Sequence, residues 1–211
     1  DSTLSEPQFY PETTPAKNEW KNFLREVFET LGLAVLLFLA INLISARVRV
    51  DGYSMRPTLD NGEFILVSRL SYKLGNCQRG DIIVFRPPMY PEETFFRRLL
   101  GFPDFNSDYE DYIKRVIGLP GDRVKVENGK VSVNGVSLIE PYIAEVPQYS
   151  GEWVVPPDNL FVLGDNRNNS SDSHAWGFLP MKNVLGRALV VYWPAMDWML
   201  LKSSQMVLAA P

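Results

Sequence analysis

At 211 residues and 45% hydrophobic content, the chain is long enough for one sizeable domain with a packed core, plus a tail. A formal charge of −4 and a pI near 5.1, with no strongly basic stretch, argue against nucleic acid as a partner. Cys77 is the only cysteine and His174 the only histidine, so an intramolecular disulfide is excluded and little is left for a transition-metal site; no metal is expected.

Residues 1–18 combine prolines at 7, 11 and 15 with Ser, Thr and Glu, the composition of a disordered tail. Glu19 to Phe28 has helical spacing and leads into Thr30 to Ala46, which carries Leu31, Leu33, Val35, Leu36, Leu37, Phe38 and Ile41 without a formal charge. As a helix at about 1.5 Å per residue this run reaches roughly 25 Å, a little short of a hydrocarbon core of roughly 30 Å, and Val27, Phe28 and Val48 can extend it. Residues 29–46 are therefore expected to span a membrane, with 1–28 as a short tail. A cleaved signal peptide fits less well, because Ile44 stands where a small processing residue is required. A buried helix of a soluble protein is the other alternative. Lys17, Lys21 and Arg25 precede the run and Arg47 and Arg49 follow it, so charge does not settle its orientation.

Beyond Arg47 the pattern changes to short β-rich runs between Gly, Pro, Asn and Asp. Phe64–Val67, Asp81–Phe85, Tyr112–Ile117, Arg123–Glu127, Lys130–Val133, Leu160–Leu163 and Val184–Trp193 are the predicted strands. Asn128-Gly129 supplies the two positive φ angles of a tight hairpin. The expected fold is mainly β, an antiparallel β-sheet domain over 47–211 behind one apolar helix, with Pro87 to Asp111 as an insertion. The C-terminal run Trp193 to Leu201 is rich in interfacial residue types; it can rest on a bilayer or pack on the β domain.

Three motifs carry the chemistry. Gly52-Tyr53-Ser54-Met55-Arg56-Pro57-Thr58-Leu59 places a serine in a turn, where it becomes a nucleophile only if a base removes its proton. Lys114, in Tyr112-Ile113-Lys114-Arg115-Val116-Ile117, is a better base than the lone histidine. On a strand it shares a face with Tyr112 and Val116, neighbours that can desolvate the amine and lower its pKa from about 10.4. Arg115 then points to the opposite face, where Asp165 can pair with it. The third motif is Gly164-Asp165-Asn166-Arg167-Asn168-Asn169-Ser170-Ser171-Asp172-Ser173.

In their order and spacing these motifs resemble the type I signal peptidases, membrane serine proteases of the Ser/Lys-dyad family S26, and the resemblance runs from about Val48 to Pro194. It implies Ser54 as nucleophile, Lys114 as general base, Ser170 orienting the lysine amine, an Arg115–Asp165 pair, and Asp172 holding the loop near the dyad. Gly52 stands where some relatives carry a serine that helps form the oxyanion hole. The backbone N–H of Ser54 is therefore expected as main donor, with Gly52 allowing close backbone approach. Met55 and Pro57 set the turn, Met55 packing beneath the nucleophile or lining a pocket, and Tyr112 and Ile113 are expected pocket residues. His174 replaces a common arginine and is expected to be exposed or locally bonded.

The implied activity is removal of signal peptides from exported preproteins after Ala-x-Ala-like sites, the substrate binding as an added β-strand, with no cofactor. The implied partners are signal-peptide-bearing preproteins, the lipid bilayer and the secretion translocon. The implied topology puts the tail in the cytoplasm and the β domain on the extracytoplasmic side of a bacterial cell membrane or a thylakoid membrane. Another Ser/Lys protease, such as a self-cleaving repressor, and a membrane-tethered peptide-binding β domain are the rival readings.

Overall fold

The structure, a computed structural model, describes residues 19–74, 77–88 and 111–203. The chain divides into two compact units, residues 1–40 and 41–211. The first contains, among the described residues, most of one helix, α1 (Glu19–Ile44). Leucine and alanine dominate its second half and proline is absent, so propensity and hydropathy agree. Its 25-residue segment Trp20–Ile44 is long and apolar enough to cross a membrane, and Phe28, Leu31, Leu36 and Phe38 are exposed.

The helix stops at Ile44, two residues before the expected end of the span, and the β domain begins at Ser45 rather than at 47. Ser45-Ala46-Arg47-Val48-Arg49 alternates with period two and forms β1 (Ser45–Arg49), paired antiparallel with β2 (Phe64–Ser68). Valine at 48 and charges at 47 and 49 suit an edge strand better than a helix end.

The second unit carries two antiparallel sheets. The larger follows the order β1, β2, β11 (Val184–Trp193), β3 (Ile82–Phe85), β4 (Tyr112–Gly118), β9 (Asn159–Leu163), β10 (Leu179–Pro180), with β12 (Met199–Leu200) also on β11. The smaller is β7 (Val136–Ser137), β6 (Lys130–Val133), β5 (Arg123–Glu127), β8 (Gly151–Val154). Among the described residues this unit also carries two short α-helices, α2 (Ser71–Leu74) and α3 (Ser173–Trp176). The hairpin at Asn128-Gly129 has φ of 51° and 73° as expected, and Asn134-Gly135, with φ of 53° and 84°, makes a second one by the same chemistry.

All seven predicted strands are present within one or two residues of the expected ends; β1, β7, β8, β10 and β12 were not anticipated. Residues 1–18, and most of the expected 87–111 insertion, lie outside the described residues. The C-terminal run packs on the β domain at its end and leaves its other large side chains outside. Leu201 is buried and donates its N–H to Leu189, while Trp193, Met196, Trp198 and Leu200 are exposed.

Cores form on both sides of the large sheet and inside the small one. Val50, Met55, Leu59, Ile65, Val84 and Val191 pack together, whereas Ile83, Phe85, Val116 and Val162 meet on the opposite face. Alternate residues of β3 thus feed two cores, which explains why all four of its side chains are buried. Cys77 belongs to the second of these cores, and burial pushes its thiol up to about 12, which leaves it a poor nucleophile.

Candidate active site

The turn between β1 and β2 presents Ser54. Gly52 has φ of +92° and donates its N–H to Asn61 Oδ1 at 2.9 Å, in open space, so glycine is required there by backbone conformation and not by close approach. Arg56 N–H donates to Tyr53 O at 3.2 Å and Leu59 N–H to Met55 O at 3.0 Å, closing the turn around a cis Arg56–Pro57 bond. Met55, 2% exposed, is packed in the core while also lining the cleft, so both of its expected roles hold.

The central strand β4 supplies the lysine. Its pairing with β3 places Lys114 opposite Ile83, and Lys114 is 4% exposed, with its amine 5.3 Å from the Tyr112 ring centre. Lys114 Nζ lies 2.7 Å from Ser54 Oγ and 3.0 Å from the Ile113 carbonyl. Desolvation lowers its pKa to about 8 against a weaker opposing pull from Asp172 and Asp165. Relative to an ordinary lysine this corresponds to roughly 3 kcal/mol in favour of the neutral amine.

On the opposite face of β4, Arg115 pairs with Asp165 through two bonds, Nε to Oδ1 at 2.7 Å and Nη2 to Oδ2 at 2.6 Å, both side chains almost wholly buried. Thr58 Oγ1 donates to the same carboxylate, tying the serine turn to the loop after β9. That loop closes on Ser54 directly: Asn166 N–H donates to Ser54 O at 3.0 Å and Asn166 Nδ2 to Tyr53 O at 3.1 Å. Asp172, fully buried, accepts from Gly164 N–H at 2.9 Å, caps α3 by accepting from His174 N–H at 3.2 Å, and meets His174 Nδ1 at 2.6 Å. His174 stacks on Tyr149 at 3.9 Å and is therefore locally bonded.

The two adjacent serines separate in a way the motif alone does not reveal. Ser171 lines the cleft, whereas Ser170 Oγ is buried against Gly164 and makes no hydrogen bond. The expected Ser170 bond to the lysine amine is not formed; the Ile113 carbonyl, one residue before the lysine, accepts from the amine instead. Close approach, expected at Gly52, occurs at Gly164, where an added Cβ would fall 2.5 Å from the Ser54 carbonyl oxygen and 2.3 Å from Ser170 Oγ. The serine hydroxyl can rotate away but the Ser54 backbone cannot. Gly164→Ala is therefore expected to displace the nucleophile and lower kcat about 100-fold with far less effect on KM, as steady-state kinetics will read. An unchanged kcat would show that the turn tolerates the shift.

Gly52, Ser54, Met55, Tyr112, Ile113 and Lys114 line one cleft of about 260 Å³, joined by Asn169, which sequence reasoning did not single out. A hydroxyl against a buried, readily neutralised amine, with no acidic partner on that amine among the described residues, is suited to proton abstraction followed by nucleophilic attack.

The family model described as Signal peptidase, peptidase S26 matches residues 23–193. The chain belongs to this family. A signal peptidase I of Leptolyngbya laminosa is 44% identical over 188 residues, covering 87% of this chain and 88% of the relative. A probable signal peptidase I-1 of Synechocystis sp. is 42% identical, covering 89% and 91%. Thylakoidal processing peptidase 1 of Arabidopsis thaliana is 39% identical over 147 residues, covering 69% of this chain and 41% of the relative. The peptidase is thus a serine endopeptidase of type I signal peptidase function that acts on signal-peptide-bearing preproteins, and its apolar helix α1 makes it a membrane protein. Both rival readings, the repressor-type protease and the peptide-binding domain, fall with this match.

Proposed function

We propose that Ser54 is the nucleophile and Lys114 the general base of this peptidase, the 2.7 Å contact between them inside a desolvated cleft being the observation that carries the assignment. The neutral amine accepts the Ser54 hydroxyl proton as Oγ adds to the scissile carbonyl. The resulting ammonium donates that proton to the departing amine, leaving an acyl-serine. Lys114 then takes a proton from water as the water oxygen adds to the ester carbonyl; the carbonyl–Oγ bond breaks, the ammonium returns the proton to Oγ, and the peptide leaves with a free carboxyl terminus. The N–H of Ser54 is the main oxyanion donor, since Gly52 offers no side chain.

The β4 register supports substrate entry as an added strand. Among the described residues β9 pairs with β4 only from Arg115 onward, so the Tyr112–Lys114 edge beside Ser54 is open on that side. A peptide laid there makes main-chain bonds, and the small cleft beside Ile113 favours small side chains, consistent with Ala-x-Ala sites. Residues 1–28 lie in the cytoplasm and the β domain from Ser45 lies on the trans side of a bacterial cell or thylakoid membrane, next to the bilayer and the translocon; the exposed Trp193, Met196 and Trp198 suit that neighbourhood.

The test is cleavage of a preprotein bearing an Ala-x-Ala site by detergent-solubilised wild type and Ser54→Ala, with the cut position read by mass spectrometry. Cutting at that site by wild type alone is expected. The base must be neutral to act, so kcat/KM should rise with pH through an apparent pKa of about 8 and fall tenfold per unit below it. An acid limb above pH 10, or equal cutting by both proteins, overturns the dyad.

A further inference from the structure

Glu140 and Tyr142, in the connection between β7 and β8, are tied into the catalytic loop by contacts that the dyad chemistry does not require. Arg167 donates from Nη1 to Glu140 Oε2 at 2.9 Å and from Nη2 to Glu140 Oε1 at 2.8 Å, with Arg167 side chain fully buried and that of Glu140 6% exposed. Tyr142 Oη donates to Glu140 Oε1 at 2.8 Å. The Tyr142 ring lies 4.0 Å from the Arg115 guanidinium carbon and 5.9 Å from that of Arg167, so one aromatic ring serves both guanidinium groups.

Each guanidinium holds a part of the site. Arg115 adjoins Lys114 on β4 and grips Asp165, while Arg167 Nε donates to the Gly164 carbonyl at 3.0 Å. Between these anchors stands Asn166, whose N–H and side-chain amide hold the Ser54 and Tyr53 carbonyls. Two buried arginines and two buried carboxylates balance in charge but cost desolvation, and well-packed apolar residues would serve stability as well. What such a network adds is a fixed geometry for the turn that seats the nucleophile.

We infer that Glu140 and Tyr142 are positioning residues for this peptidase: Glu140 anchors Arg167, and the Tyr142 ring, by covering Arg115 and Arg167 together, sets the Gly164–Asn169 turn against Ser54. The inference rests on the Ser54–Lys114 assignment.

The experiment measures kcat, KM and the pH dependence of kcat/KM for detergent-solubilised Tyr142→Leu, Tyr142→Phe and Glu140→Gln, each normalised to the sites titrated by a covalent serine probe. Tyr142→Leu and Glu140→Gln are expected to lose about 10- to 100-fold in kcat per titrated site, with KM within about twofold. The acid limb, set by Lys114 on the other face of β4, should stay in place in all three, and Tyr142→Phe, which keeps the ring, should recover most of the loss in kcat. If Tyr142→Leu does not accumulate, Glu140→Gln and Tyr142→Phe carry the comparison. A merely structural role would lower the number of titrated sites but leave kcat per site unchanged, and that result overturns the inference. Cutting by Ser54→Ala would instead remove the dyad beneath it, a separate outcome.

Discussion

Lys114→Met is expected to abolish preprotein cleavage, by at least about 10³-fold in kcat/KM, and at the same time to make the protein more stable at neutral pH. The first effect follows from removing the group 2.7 Å from Ser54 Oγ, with no other cation lining the cleft among the described residues. The second follows from linkage. The folded-state pKa of about 8 lies below the ordinary lysine value of 10.5, so below pH 8 the fold holds a proton more weakly than the unfolded chain, at a cost of roughly 3 kcal/mol. Between about pH 8 and 10.5 the unfolded chain binds more protons than the native one, and stability rises with pH. Methionine fills the same volume without a charge and should gain about 1–3 kcal/mol at pH 7, an exchange of activity for stability. Denaturant unfolding of the two proteins at pH 7 and pH 10 checks it. A stability difference that does not shrink at pH 10 would mean that charge burial is not its cause.

Asp165→Asn is expected to be the most destabilising single change in the site, by about 3–5 kcal/mol, because it leaves the buried Arg115 guanidinium without its counter-charge. Against a typical domain stability of about 5–15 kcal/mol this is a large share. Arg115 keeps its bond to the Gly80 carbonyl at 3.0 Å, which holds its position but does not neutralise it. Pairing Asp165→Leu with Arg115→Met removes both charges and should recover part of the loss. The double-mutant cycle therefore separates the net worth of the pair from the penalty of orphaning one member. Additive costs would show that the two side chains are not coupled.

The Ser54–Lys114 contact was anticipated from the order and spacing of motifs that resemble type I signal peptidases, since a turn serine or a strand lysine alone would not have paired them. The seven predicted strands were legible on their own, since alternation along four or more residues is a local signal. β1 escaped because Ala46 and Val48 continue an apolar run, and their pairing partners Val67 and Ile65 are about twenty residues away. The second hairpin could have been read, because Asn134-Gly135 carries the same signal as Asn128-Gly129. Ser170 was misjudged for a geometric reason: a motif fixes which residue is near, but not which carbonyl already occupies the amine. Glu140 and Tyr142 were beyond reach, as their partner Arg167 lies 27 residues from Glu140 and no local pattern links them.

The silent thiol of Cys77 has a practical corollary. Its side chain is enclosed among Ile83, Phe85 and Leu160 and it titrates far above the working range of maleimide reagents, so the folded peptidase offers such reagents almost no background. A cysteine introduced at an exposed position such as Met196, 95% accessible, becomes a single-site reporter without any native residue being removed. Reagents that cross the bilayer and reagents that cannot would then read, in intact vesicles, the compartment into which the Trp193–Leu200 segment faces.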